Sequence, residues 1–178
     1  MEDRSERSGS QEEILPAVKP RVYLETTIFG YLAARVSGML RVAANQQTTR
    51  DWWDNHRQGF ELFVSRFVVD ECSDGDPVAA RERLVYLEGI PLLQPPDDVN
   101  ALAESLVAGV PLPEKSAMDA LHISVAAVNG LEYLLTWNCR HIANPSLRLR
   151  IEQICRELGY EPPVICTPQE LLEIDDAF

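Results

Sequence analysis

Apolar residues in this chain fall into short β-prone runs separated by segments of helical period. Val22-Tyr23-Leu24 is the first such run, and it stops abruptly at Glu25-Thr26-Thr27. Phe60-Glu61-Leu62-Phe63-Val64 is the second. Ile90-Pro91-Leu92-Leu93 is a third, with the proline pointing to a sheet edge. Tyr133-Leu134-Leu135-Thr136 and Val164-Ile165-Cys166 complete five. Between them the spacing predicts helices. Tyr31-Leu32-Ala33 follows the first strand, with Thr26 or Thr27 as its cap, and 45–57 is a polar helix carrying Trp52-Trp53. Ser65 suits the cap of a short helix through Val68, Val69 and Glu71. Pro77 opens another helix, and 99–107 is amphipathic. Glu114–Val128 is strongly apolar and stops at Asn129-Gly130. Leu147, Ile151, Ile154, Cys155 and Leu158 repeat at helical spacing, and Pro168 opens a last helix. Strands alternating with helices give βαβ crossovers and a mainly parallel sheet covered on both faces.

Residues 1–20 break this pattern: they are polar, aperiodic and hold Ser, Gly and two prolines, which predicts a disordered leader before a domain over 21–178. The whole chain has 178 residues, 46% hydrophobic and 25% charged, suited to one core. Its net charge is −12, from 28 Asp+Glu against 16 Lys+Arg. The leader carries only −2 of this, so the acidity belongs to the folded part. That excludes a protein that coats DNA through clustered basic residues. Four cysteines form no Cys-x-x-Cys pair and read as reduced thiols. No apolar run is long enough to span a bilayer, and the N-terminus lacks a signal-peptide core. The expected location is cytoplasmic.

In a parallel α/β sheet, ligands bind outside the carboxyl ends of the strands. Glu25 follows strand one, Glu71 lies a short helix after strand two, and Asn138 follows strand four. Asp119 sits early in the helix that leads into strand four. If all four converge on one rim, the carboxylates repel unless a cation neutralises them. Oxygen donors with room for water and phosphate suit Mg²⁺ or Mn²⁺. Each residue also has an ordinary reading. Glu25 is then a solvated strand-end carboxylate, and Glu71 is one of a local acidic group with Asp70, Asp74 and Asp76. Asp119 pairs with Lys115, Asn138 is a turn residue, and Thr136 is a β-branched strand residue. His122 reads as a core or supporting histidine, and the Trp pair as core. His141, beside Arg140, could touch a phosphate. No phosphate-binding glycine loop or nucleophile elbow is present. An Asp-x-Asp pair after strand one, as small-molecule phosphatases use, is absent as well.

Four segments together resemble a family. Val22–Thr27 resembles the opening acidic motif of PIN domains. Ser65–Glu71 resembles their second motif, Asp119–Ala127 their third, and Leu135-Thr136-Trp137-Asn138 their fourth. The ending Pro162–Pro168 resembles a branch of VapC-like toxins of type II toxin–antitoxin pairs. The resemblance covers about residues 21–174. It implies a three-layer α/β/α fold with a central, mainly parallel sheet, and Mg²⁺- or Mn²⁺-dependent endoribonuclease activity on RNA. It also implies a small antitoxin partner and homodimerisation. By position, it makes Glu25 and Asp119 the main metal ligands, Glu71 a further metal ligand or the group that orients the attacking water, and Asn138 a fourth catalytic position, with Thr26, Thr136 and His141 supporting them. Two departures stand out. Glu25 replaces the usual Asp, and Asn138 replaces an acid, leaving three carboxylates.

The departures define an alternative: a degenerate, non-catalytic PIN-like module that binds an antitoxin or nucleic acid. Charge is distributed unevenly enough to matter here. Residues 35–57 carry +2 and residues 140–156 carry +3, and both segments follow rim motifs. They read either as arginines on solvated helix faces, with Arg148–Glu152 as an i,i+4 pair, or as a phosphate-steering rim on an acidic body.

Overall fold

The structure, a computed structural model, describes residues 18–94, 96–110 and 117–175. Five strands, β1 (Arg21–Leu24), β2 (Glu61–Ser65), β3 (Leu92–Leu93), β4 (Tyr133–Leu135) and β5 (Val164–Cys166), form one sheet in the order β3-β2-β1-β4-β5. Every pairing is parallel, with Val22 level with both Leu62 and Tyr133. This is the three-layer, PIN-like α/β/α arrangement expected from the sequence. β3 is a two-residue edge strand beside Pro91, as a missing amide donor requires.

Helices α1 (Thr26–Ala33), α2 (Leu40–Asp51), α3 (Arg66–Ser73) and α4 (Pro77–Leu87) connect β1, β2 and β3. Helices α5 (Asp98–Gly109) and α6 (Ala117–Val128) return the chain to β4, and α7 (Pro145–Glu157) leads to β5. The first group moves outward on one side of β1 and the second on the other. Right-handed crossovers therefore put the two groups on opposite faces. Packing agrees: α1 touches α2, α3 and α4, while α5 touches α6 and α7. The final helix α8 (Pro168–Asp175) packs on α2. β1 is thus the strand at which the connections diverge, and its carboxyl end is where the fold opens a crevice.

Local sequence explains most boundaries. Asp76 accepts from the amides of Val78 and Ala79 with Pro77 in the first turn of α4, a cap worth about 1 kcal/mol. Asn144 and Pro145 repeat this device at α7. Gly130, at φ +61°, takes the left-handed turn that ends α6. The start of α6 expected at Glu114, with Lys115, lies outside the described residues, as do residues 1–17 of the expected leader. The polar helix begins earlier than its pattern suggests, at Leu40, and ends in one π-helical turn, Trp52–His56. Both tryptophans are buried there, Trp53 edge-on to Phe29 and Tyr86. They are core, not an open stacking surface. Cys72, Cys155 and Cys166 are free buried thiols, pushed up to about 12, 11 and 12 by burial. No helix among the described residues is long and apolar enough to cross a membrane.

Candidate functional site

Glu25 is the first residue beyond β1, and its backbone still pairs across to β4 through Leu135. Its side chain folds back as the cap of α1, accepting from the Thr27 amide. The cap is therefore Glu25, not either threonine, because both hydroxyls are committed elsewhere. The Thr27 hydroxyl donates to Glu25 Oε2, and the Thr136 hydroxyl donates to the same oxygen at 2.8 Å. Three donors fix Oε2, while Oε1 accepts no hydrogen bond from a described residue. Glu25 is only 4% exposed.

Glu71, on α3, is held in the same way. Its Oε2 accepts from the Thr26 hydroxyl and from His122 Nε2, the latter at 2.9 Å, and Oε1 again accepts no hydrogen bond from a described residue. Burial pushes the Glu71 carboxyl up, but the hydrogen bonds from His122 and Thr26 and the attraction of His122 outweigh it and hold the group below its ordinary range. A carboxyl lowered on folding adds stability above its unfolded pKa, and that stability is lost as pH falls through the folded value. In the metal-free protein, the decline of Tm on acidification should therefore be shallower in Glu71→Gln than in wild type. Thermal melts across the acidic range would measure this.

One ligating atom from each of Glu25, Glu71 and His122 lies within 4.8 Å of the other two. Asp119, in the first turn of α6, is not a member of this triplet. Its Oδ1 accepts from Asn138 Nδ2 and its Oδ2 from His141 Nδ1, both at 2.9 Å. The two groups share an edge. The Thr136 hydroxyl that donates to Glu25 accepts from the Asn138 amide at 2.9 Å. The structure thus gathers Glu25, Thr26, Glu71, Thr136, Asp119, Asn138 and His141 on one rim, as two clusters joined through Thr136 and Asn138. Asn138 faces Asp119 as a donor.

Sequence reasoning gave Thr27 and Ser65 roles as helix caps and gave Tyr23 no role beyond the first strand. Thr27 was visible as a hydroxyl beside Glu25. The pairing of Tyr23 with Ser65 and His122 carried no signal, because these partners lie far away in the chain. The basic segments are partly committed to structure. Arg50 donates to the Ala34 carbonyl, and Arg57 lies 4.3 Å over the Trp53 ring. Arg148 donates to the Ile165 carbonyl, not to Glu152, which pairs with Arg156. Arg35, Arg41 and Arg140 are exposed.

No family model matches the sequence, and no curated protein matches it. Among solved structures, the fold is similar to the crystal structure of VapBC2 from Rickettsia felis bound to a DNA fragment from its promoter. That likeness covers 83% of this chain and 98% of the other, with a TM-score of 0.53 at 12% identity. At this identity the likeness is one of fold.

Proposed function

We propose that the protein is a Mg²⁺- or Mn²⁺-dependent endoribonuclease of the toxin–antitoxin type, with Glu25, Glu71 and Asp119 as its metal-binding carboxylates. The observation that carries this is the state of Glu25 and Glu71. Each has one oxygen saturated by protein donors and the other open, at the strand ends where the fold places ligands. Two acidic side chains held so close are costly without a cation, and a pair of carboxylate oxygen donors suits Mg²⁺. The donor set therefore fits a hard divalent cation. Such a cation, when bound, supplies Lewis acidity toward water and toward the phosphodiester oxygens.

The chain's own groups do the positioning. Thr27 and Thr136 lock Glu25, and Thr26 and His122 lock Glu71. Asn138 and His141 orient Asp119, and Arg140 stands exposed beside His141 to meet a phosphate. A small antitoxin partner and a homodimer belong to the same reading. They rest on the motif resemblance and on a fold shared with VapBC2. Incubation of the purified protein with RNA and Mn²⁺ should give cleavage that EDTA abolishes, read on a denaturing gel.

A second reading rests on one observation. Both oxygens of Asp119 are already hydrogen-bonded, and Asn138 supplies no charge. On that reading the rim is a PIN-like module that binds an antitoxin or nucleic acid without cutting. Calorimetry separates the two: no Mn²⁺ binding at millimolar concentration favours the second.

A further inference from the structure

His122 is buried, 1% exposed, and makes two hydrogen bonds through its ring. Nε2 lies 2.9 Å from Glu71 Oε2 and Nδ1 lies 2.8 Å from the Tyr23 hydroxyl. The Tyr23 oxygen is in turn 2.7 Å from Ser65 Oγ. Ser65 stands at the cap position of α3, yet its side chain makes no cap bond. A helix cap has been given up so that this hydroxyl can face Tyr23.

The donor at the Glu71 end of this row can be assigned. Glu71 Oε2 is an acceptor, so Nε2 must carry a proton. A bare ring nitrogen would otherwise abut a carboxylate oxygen at hydrogen-bond distance. His122 Nδ1 faces the Tyr23 hydroxyl at 2.8 Å, which makes the second hydrogen bond of the ring. Ser65 completes the row through its 2.7 Å hydrogen bond with the Tyr23 hydroxyl.

From this we infer that His122 is a positioning residue and not a metal ligand: Ser65, Tyr23 and His122 form a buried relay whose Nε2–H holds Glu71 Oε2 and turns Oε1 toward the rim. The inference deepens the proposed function, since it rests on Glu71 serving as a ligand there. It removes His122 from the triplet that proximity alone suggests. A ligating nitrogen needs an unprotonated lone pair, and on Nε2 that position is taken by the proton shared with Glu71.

The test is the side-chain ¹⁵N–¹H spectrum of the full-length protein at neutral pH, before and after addition of Mg²⁺. There are three histidines. The His122 signals are identified as those that persist in both His56→Gln and His141→Gln. The expected result is a ring that carries a proton on Nε2 and retains it in Mg²⁺. A ring protonated at Nδ1 alone, or loss of the Nε2 proton on adding Mg²⁺, would overturn the inference. A second arm measures Mn²⁺ affinity by calorimetry. His122→Gln keeps an amide donor toward Glu71 and should stay close to wild type. His122→Leu should bind about 10-fold more weakly, as expected when the support of a ligand is lost. Equal affinity in the two variants counts against the relay. The metal-free spectrum needs neither cleavage nor metal. A protein that shows this Nε2 proton but cuts no RNA keeps the relay and loses the nuclease reading, and the opposite result separates them the other way.

Discussion

Glu25→Gln should lower Mn²⁺-dependent RNA cleavage by about 100-fold or more, which is about 2.7 kcal/mol of transition-state stabilisation. The size follows from what glutamine can and cannot reproduce. Thr27 N, Thr27 Oγ1 and Thr136 Oγ1 all donate to Glu25 Oε2. A glutamine at this position turns its carbonyl oxygen to those three donors, because its amide group would clash with them. The NH₂ then occupies the place of Oε1. That group has no lone pair for a cation and no charge to hold one. The helix cap and the fold survive while the open ligand is lost. Glu71→Gln obeys the same logic, with Thr26 and His122 selecting the carbonyl. Asp119→Asn tests the third carboxylate. Initial rates on one RNA, with circular dichroism melts as a control for folding, measure all three variants. Activity equal to wild type in Glu25→Gln and Asp119→Asn would remove the nuclease assignment.

Much of this rim was legible because local chemistry specifies it. The run Val22–Leu24 ends at a carboxylate, and a parallel sheet sends strand ends to one side. Those two facts place Glu25 and Asn138 together without any coordinates. The same holds for Asp76-Pro77 and Asn129-Gly130, where cap and turn residues act on their own neighbours. What sequence could not show is pairing at a distance. Tyr23 meets His122 across 99 positions and Ser65 across 42. Only the register of β1 beside β2, and the seat of α6, bring them within reach. Thr26 and Thr27 illustrate the limit more finely. Either hydroxyl is chemically able to cap α1, and the choice is settled by Glu71 and Glu25 claiming both. Arg148 is a similar case. Helical spacing offers Glu152, but the β5 carbonyl of Ile165 takes its guanidinium.

Asn138→Asp should destabilise the metal-free protein and make its stability depend more strongly on metal. In wild type, Asn138 Nδ2 donates to Asp119 Oδ1 at 2.9 Å, and Asn138 Oδ1 accepts from the His141 amide at 3.2 Å. An aspartate keeps the second bond and turns the first into two carboxylate oxygens facing each other. Losing a hydrogen bond to a charged acceptor costs about 1.5–3 kcal/mol, and the new repulsion adds to that. For a domain of this size, about 2–4 °C of Tm is lost per kcal/mol, so a fall of roughly 5–10 °C is expected without metal. A cation that binds near Asp119 relieves the repulsion and binds the native state alone, which raises Tm by linkage. The gain in Tm on adding Mn²⁺ should therefore be larger in the variant than in wild type. Melts of both proteins with EDTA and with millimolar Mn²⁺ decide the matter. If Mn²⁺ gives no larger gain in the variant, Asp119 and Asn138 lie outside the reach of the cation. The asparagine would then be a structural donor that keeps Asp119 and His141 in place.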